Sequence, residues 1–542
     1  MAEQTNSYEN IFSKVFKDPL YDYIKIDNDI CEKIIDNRYF QRLRRIEQTS
    51  MRCLYPSARH DRFIHSIGVY HLAKIAINAL KNNKKVDLTK EDLDFPDEKI
   101  QRDLAFSFEM AALLHDVGHS PFSHTLEKYF QKEYDFNVDG TDVIYRDIID
   151  VLFDETRKIN KLTGNEITVQ FEAECKKANA APHEIVSCII VLRCFKDILD
   201  ELAAKRDCKI DYLFLVRCIL GAQYTDINHS FSDYKNCIIR ILNSSIDVDK
   251  LDYISRDSSI SGFANTKVDT KRLLSSLIFV KSKGLSDKPK LCLAFKKTAL
   301  GVIQNVVTSR NSLYTWVYSH HKVKYEGDLI QKAIELIADE EEKQSNHKMN
   351  RNIFITSLFS VKSIEENLVC DDVIWNLFIK HKNIPEVNEI IQRNSQKKAI
   401  WKSFAEFQAY FDTATKIAPV GGYSADLMRK YLENSSSIPC LKNYINKFDP
   451  EMKFEVVSGD VKLAYFKPKE ILVYINDDLY FFDDIFGELY GKSQIPSFFY
   501  IYCDKETKRK LNIINSNTNK KKKYELIEYI KKYKEFQSTV GC

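Results

Sequence analysis

The run Leu113-Leu114-His115-Asp116-Val117-Gly118-His119 sets two metal-ligand types side by side at the end of an apolar stretch. Phe106 to Leu114 reads as a buried helix, with Gly118 ending it. Neighbouring side chains on a helix diverge by about a third of a turn. A His-Asp pair therefore reaches one ion only at a helix end or distortion, which Gly118 allows. Alone, such a pair is also what a helix C-cap with a polar turn looks like. Three further features weigh against that plain explanation. Arg62-Phe63-Ile64-His65-Ser66-Ile67-Gly68 opens an amphipathic run upstream. Asp247-Val248-Asp249-Lys250-Leu251-Asp252-Tyr253-Ile254-Ser255-Arg256-Asp257 lies far downstream. His119, His124 and His183 crowd the stretch after the pair, where an apolar core has no use for imidazoles. Together these give a His, a His-Asp and an Asp from three separate helices. Imidazole nitrogen with carboxylate oxygen suits a divalent ion such as Mn, Fe, Zn, Ni or Mg.

With these motifs on the page, the chain resembles the HD-domain phosphohydrolases, and within them the deoxynucleoside triphosphate triphosphohydrolase branch. The resemblance begins at Lys14-Val15-Phe16-Lys17-Asp18-Pro19 and runs through Phe40-Gln41-Arg42-Leu43-Arg44 and the Arg62-to-Gly68 stretch. It continues in His115-Asp116-Val117-Gly118-His119-Ser120-Pro121-Phe122-Ser123-His124, Asp249-Lys250-Leu251-Asp252-Tyr253 and Arg310-Asn311-Ser312-Leu313. It covers residues 10–335 and stops near residue 340.

The resemblance implies a ligand set of His65, His115, Asp116 and Asp249. Two imidazoles and two carboxylates leave positions for water and a phosphate oxygen, as a catalytic site needs. A bound divalent ion lowers the pKa of its water and polarises the phosphoryl oxygen. Arg62, Lys250, Tyr253 and Arg310 match the family's phosphate-binding positions, and a triphosphate with about three to four negative charges calls for converging cations. His124 and His183, with His119 nearby, are the acid-base candidates, since imidazole titrates near neutral pH. Glu127 stands at i+3 from His124 on a helix expected to start at Thr125, so its carboxylate can orient the ring. The family has Asp there.

Gln48 and Asp257 match residues that hold the 3′-hydroxyl, and Tyr318 matches a tyrosine that closes on the sugar. Thr49, Tyr314 and Ser319 depart from the animal members of the branch and leave the preferred base open. Asp36, Gln41 and Arg44 match residues of an effector site that reads guanine, for which carboxylate and guanidinium are suitable partners. Tyr21-Asp22 replaces the His-Gly of that loop.

The elements that must position these residues are mainly α-helical. Only 15 Gly and 12 Pro in 542 residues favour helices over turn-rich β structure, and the length suggests roughly two to four domains. The expected division is a polar arm over 1–13, an HD-type catalytic core over 14–335, a helical extension over 336–450 and a small α/β subdomain over 451–542. A hairpin is expected from Leu277–Val280 and Leu291–Phe295, and an insertion over 140–170 with a flexible Asn160-to-Glu166 stretch. Phe454–Val457, Leu463–Phe466, Ile471–Ile475 and Phe498–Tyr502 read as strands. Lys520 to Lys523 reads as a solvated charge run.

Composition narrows the function class. A net charge of +3 argues against a protein that coats nucleic acid but leaves room for a local basic groove, so nucleic acid stays an open partner. The 13 Cys include no CxxC pair; Cys188, Cys194, Cys218 and Cys237 sit in apolar runs and read as reduced core residues. No signal peptide and no run of about 18 apolar residues is evident, so a cytoplasmic protein without a membrane span is expected. Three functions are weighed. The first is a dNTP triphosphohydrolase giving deoxynucleoside and tripolyphosphate, as a dimer or tetramer with a dNTP or NTP effector, serving pool control or antiviral depletion. The second is an HD phosphohydrolase of nucleoside monophosphates or signalling nucleotides, and the third a nucleotide- or nucleic-acid-binding regulator with a vestigial site.

Overall fold

The structure is a computed structural model that describes residues 13–83, 94–136, 143–160, 165–226, 229–263, 267–282, 290–345, 350–412, 437–458, 470–490, 499–514 and 521–532. The terminal arm, the Leu463–Phe466 strand and most of the Asn160-to-Glu166 and Lys281-to-Lys290 connections lie outside the described residues. The architecture is mainly α, with four small sheets among the described residues.

The chain opens on a hairpin that the sequence reading did not foresee, β1 (Ser13–Asp18) and β2 (Asp22–Asp27). Its signal was present: Ile24 and Ile26 are buried while Tyr23 and Lys25 face out, the period of two of a half-buried strand. Asp18 closes the turn by accepting from the backbone N–H of Leu20 (2.7 Å) and Tyr21 (3.1 Å).

Two helices carry the first candidate ligands. α1 (Arg62–Asn82) starts where the Asp61 carboxylate accepts from the Ile64 N–H at 3.0 Å, an N-cap that satisfies an otherwise orphaned donor. It is apolar and long enough to cross a bilayer, with a mean hydropathy of 1.2 over its best window, yet it runs through the core and buries His65. α2 (Glu98–Leu114) is capped by Asp97 in the same way and packs on α1. His115 follows it as a C-cap residue still in right-handed helical geometry, so the His115-Asp116 pair does sit at the helix end.

Gly118 does something other than break the helix. A Cβ there would lie 2.3 Å from the Ser187 N and 2.5 Å from the Val186 carbonyl carbon, and its own N–H donates to Ser187 Oγ at 2.9 Å. It lets the His-Asp turn touch the backbone of a later helix, the one that carries His183. Beyond it the expected helix from Thr125 is absent. Phe122 and Ser123 take positive φ (53° and 51°), and the chain forms two short 3-10 turns, Ser123–Thr125 and Glu127–Tyr129.

In the stretch read as an insertion, the described residues form regular elements. β3 (Lys132–Phe136) pairs with β4 (Val143–Asp147), and α3 (Ile148–Asn160) and α4 (Asn165–Ala178) follow. Ile148, Val151, Leu152 and Phe153 are buried. α5 (Pro182–Ile190) begins with Pro182 at its first turn, and Glu184 reaches back to accept from the Ala181 N–H at 2.6 Å. α6 (Val248–Ser261) is capped by Asp247, which accepts from the Lys250 N–H at 2.8 Å. α7 (Leu300–Leu313) and α8 (His321–Gln344) complete the frame. Cys188, Cys218 and Cys237 are buried free thiols, as read from their apolar surroundings, and Cys194 is half-buried.

The hairpin β5 (Leu277–Ser282) with β6 (Lys290–Lys296) forms in the expected register, Leu277 opposite Phe295. The C-terminal strands do not form one sheet. β7 (Lys398–Ala399) and β8 (Phe454–Ser458) flank β11 (Phe499–Cys503), whereas β9 (Leu472–Ile475) and β10 (Asp478–Phe481) extend the β5–β6 hairpin through a parallel β6–β9 pairing. The C-terminal segment is thus bound to the core by a shared sheet.

Candidate active site

α1, the end of α2 and the first turn of α6 bring His65, His115, Asp116 and Asp249 together. His65 Nε2 lies 3.0 Å from Asp249 Oδ1 and 3.8 Å from Asp116 Oδ2. His115 Nε2 lies 3.8 Å from the same Asp249 oxygen and 3.7 Å from Asp116 Oδ1. Both Nε2 atoms are buried, and neither makes a well-formed hydrogen bond. Two orphaned imidazole nitrogens facing two carboxylates are unfavourable unless a cation joins them. Ligand atoms bound at about 2.1 Å to one ion lie roughly 3–4 Å apart, which these separations match. The residues therefore fit a divalent ion.

The electrostatics agree. Burial opposes a charge on His65, but the Asp249 and Asp252 carboxylates push it up to about 9, so this cluster draws in positive charge. Burial likewise opposes a charged Asp116, and the Arg62 guanidinium with the neighbouring imidazoles holds the carboxyl well below the usual range.

A supporting network fixes His65. Its Nδ1 donates to Asp252 Oδ2 at 2.8 Å, which leaves Nε2 free to face Asp116 and Asp249. Asp252 also accepts from Arg256 Nε (2.9 Å) and Nη2 (2.8 Å) and from the Tyr21 hydroxyl (2.9 Å), and Arg256 Nη1 reaches Asp18 at 3.0 Å. Asp18, Asp252 and Arg256 are fully buried. Gly68 makes room for this: a Cβ there would sit 2.0 Å from Asp252 Oδ1. The bulky Tyr21 thus points inward, tying the β1–β2 turn to the carboxylate that holds His65. Sequence reasoning gave no role to Asp252 or Arg256; their spacing of four on a helix that also carries Asp249 was the available signal.

Arg62 is placed differently from a residue aimed at open phosphate space. Its Nη1 donates to Asp116 Oδ2 (2.8 Å), its Nη2 to the Gln48 carbonyl (3.0 Å) and its Nε to Ser123 Oγ (3.1 Å). Lys250 Nζ pairs with Asp247 at 2.5 Å. Arg310, on α7, is buried, and its Nε donates to the Tyr253 hydroxyl at 3.3 Å. Asp249, Tyr253 and Asp257 recur every four residues along α6 and so share one face. At the far end Asp257 is gripped by the Tyr318 hydroxyl and by His60 Nε2, the latter at 2.5 Å. His60 was not singled out by sequence, since no motif marks it. Gln48 is buried with its Oε1 unpartnered.

The remaining histidines form a second group. Glu127 accepts from His124 Nδ1 at 2.8 Å and from His183 Nδ1, so the expected His124–Glu127 contact exists although no helix carries it. Burial opposes a charge on His183, but Glu127 pushes it up to about 9. His119 is fully buried and stacks on His183 with centroids 4.5 Å apart. Burial, then Arg62 and the two neighbouring imidazoles, hold His119 well below its ordinary value, so it stays neutral. One nitrogen from each of these three rings falls within 4.8 Å of the others. His124 and His183 both spend their Nδ1 on Glu127, which suits this group to holding a proton.

The effector candidates lie together on the N-terminal surface. Arg44 Nε donates to Gln41 Oε1 at 3.0 Å, and its guanidinium covers the Phe63 ring at 3.4 Å. Asp36 is exposed and 3.4 Å from Lys14 Nζ.

Residues 62–159 match the HD domain family, the region that holds three of the four candidate ligands. The chain contains an HD domain. It is 27% identical over 362 residues to an uncharacterized protein of Methanocaldococcus jannaschii, covering 66% of this chain and 57% of that one. It is 26% identical over 329 residues to the deoxynucleoside triphosphate triphosphohydrolase SAMHD1 of Xenopus laevis, covering 57% of this chain and 43% of that one. The chain spans about half the length of the curated relatives it matches. Its fold resembles a phosphohydrolase from Bacteroides thetaiotaomicron, with a TM-score of 0.52 at 18% identity over 91% of this chain and 99% of that one. Within and beside this HD domain, the His/Asp cluster fits a divalent ion.

Proposed function

We propose that this HD-domain protein hydrolyses deoxynucleoside triphosphates to deoxynucleoside and inorganic tripolyphosphate. The observation that carries the reading is the stripe along α6. Asp249 belongs to the ligand cluster, Tyr253 meets Arg310 one turn on, and Asp257 meets Tyr318 two turns on. Eight residues of helix rise roughly 12 Å, about the reach of a nucleotide from phosphate to sugar. Similarity to SAMHD1 supports the same reading.

His65, His115, Asp116 and Asp249 would hold the ion, which when bound activates water and polarises the phosphoryl oxygen. Arg310 and Lys250 would neutralise the phosphate tail, and Arg62 holds Asp116 in place. Attack at the α-phosphorus breaks its bond to the 5′-oxygen, and that oxygen needs a proton. His183, charged at neutral pH and held at Nδ1 by Glu127, would supply it from Nε2, with His124 on the same carboxylate as its partner. Neutral His119 packs His183 in position. Gln48 and Asp257 would bind the 3′-hydroxyl, and Tyr318 would close on the sugar. We further propose a homo-oligomer with a nucleotide effector at the surface of Asp36, Gln41 and Arg44.

The engagement of Arg62 by Asp116 and of Lys250 by Asp247 favours a second reading, in which the substrate carries fewer charges, as a nucleoside monophosphate or signalling nucleotide does. Incubating metal-loaded protein with each dNTP, alone and in pairs, and separating products by ion-pair chromatography decides between them. Deoxynucleoside with tripolyphosphate supports the first reading; inert dNTPs, or orthophosphate or pyrophosphate as first product, support the second.

A further inference from the structure

A helix far outside the matched HD region reaches into the turn that follows the His-Asp pair. α9 (Asp371–Lys380) begins at Asp371, whose side chain is buried. Its Oδ1 accepts from the Phe122 N–H at 2.7 Å and its Oδ2 from the Glu47 N–H at 2.9 Å. The Phe122 ring lies against Trp375 and Phe378 of the same helix, with centroids 6.1 and 6.3 Å apart. Just before α9, the Val369 carbonyl accepts from Arg42 Nη1 at 2.6 Å. Arg42 Nη2 in turn donates to the carbonyls of Val117 (3.0 Å) and His119 (2.8 Å). The next residue along, Asp372, points the other way and makes an exposed pair with Arg45 at 3.0 Å.

The turn held in this way is the one between His119 and His124. Phe122 and Ser123 sit at φ of 53° and 51°, where L side chains crowd their own backbone, so the geometry needs outside support. The Ser123 hydroxyl donates to the Glu47 carbonyl, joining the same two segments that Asp371 bridges. From this turn His124 Nδ1 reaches Glu127 at 2.8 Å, and the His119 ring stacks on His183 at 4.5 Å. Proton transfer needs donor and acceptor within hydrogen-bond reach, and a misplacement of about 1 Å can cost about 100-fold in rate. The candidate ligands are fixed by other parts of the fold: His65 by Asp252, Asp116 by Arg62, His115 by the end of α2 and Asp249 by the first turn of α6. Release of the turn therefore disturbs the proton donor and spares the ion.

We infer that Asp371 is a positioning residue that sets the acid-base turn from outside the HD domain, an inference that rests on the proposed phosphoester hydrolysis. It acts at one remove, through the Phe122 and Glu47 backbone, so that His119 and His124 keep their places beside His183 and Glu127.

The leaving group separates a misplaced acid from a damaged fold. When water attacks the α-phosphorus of dTTP, the bond to the 5′-oxygen breaks and that oxygen must take a proton. From the p-nitrophenyl ester of thymidine 5′-phosphate, p-nitrophenolate departs without one. In the metal-loaded full chain, Asp371→Ala should slow dTTP turnover by about 10–100-fold, part of the roughly 100–10,000-fold that a placed acid contributes. Turnover of the p-nitrophenyl ester should change little, and bound metal, read by elemental analysis, should stay the same. Asp372→Ala, which removes only the exposed pair with Arg45, should alter neither rate. If dTTP is inert in wild type, the triphosphate reading falls, and thymidine monophosphate against p-nitrophenyl phosphate gives the same comparison with the same expectation. Should Asp371→Ala fail to fold, Asp371→Asn keeps one acceptor and gives a smaller loss with the same selectivity. Equal slowing of alkyl and p-nitrophenyl substrates, loss of metal together with rate, or unchanged turnover of the alkyl substrate overturns the proposal. So does a wild type that cleaves none of these compounds.

Discussion

Asp252→Asn tests the network behind His65. The fully buried carboxylate takes four donors: His65 Nδ1, two nitrogens of Arg256 and the Tyr21 hydroxyl. Asparagine keeps the shape but loses the charge and presents an N–H₂ to some of those donors. Two costs follow. His65 loses the partner that fixes its tautomer, and outer-shell changes of this kind lower metal affinity by about 10–100-fold, or ~1.4–2.7 kcal/mol. Arg256 keeps only Asp18 as an ionic partner, and breaking a buried pair costs about 3–5 kcal/mol; the surviving contact argues for the lower end. Tyr21→Phe removes one donor and leaves the charge, so it should cost about 1 kcal/mol of stability and little metal affinity. Chelator competition measures the affinity, and thermal melting of the metal-free protein measures the stability. If Asp252→Asn folds and binds metal as tightly as wild type, the network does not orient His65 and the reasoning fails.

Other expectations follow from the same geometry. His115→Ala should abolish hydrolysis and lower bound metal, read by elemental analysis, with little change in melting. Asp116→Ala should do the same but also strand Arg62, at a further cost of about 3–5 kcal/mol that melting would register. Glu127→Gln should move the alkaline limb of the rate profile from near pH 9 toward neutrality, because His183 loses the carboxylate that raises it. That pKa lies above the unfolded value of about 6.5, so its stabilisation is complete below that pH and is lost as pH rises through about 9. The melting gap between wild type and Glu127→Gln should therefore narrow over this window. Mixed dNTPs should be hydrolysed faster than single ones, and Arg44→Ala should lose that difference while keeping its metal.

How legible the site was depends on what each residue does. His65, His115, Asp116 and Asp249 lie in short motifs whose residue types marked them, and the family resemblance picked Asp249 out from Asp247, Asp252 and Asp257 beside it. Asp252, Arg256 and His60 act through other side chains, and such links between distant segments leave no local pattern. Gly118 was read as a helix breaker, whereas its work is a close approach to α5, which only the packing reveals. The helix expected at Thr125 failed because Phe122 and Ser123 adopt left-handed geometry after Pro121. β10 was missed although its cue was there: Asn476 and Asp477 both take positive φ, the two-residue turn that joins Ile475 to Asp478. The pairing of β9 with β6 joins segments far apart in sequence, and no single-segment pattern specifies it.

The central claim is water attack at the α-phosphorus of a dNTP in a His65, His115, Asp116 and Asp249 site. Single turnover of dGTP by the metal-loaded enzyme in ¹⁸O-labelled water, with products read by mass spectrometry, tests it most directly. The account predicts one labelled oxygen in tripolyphosphate and none in deoxyguanosine. Label in orthophosphate or pyrophosphate, or in the nucleoside itself, would contradict it.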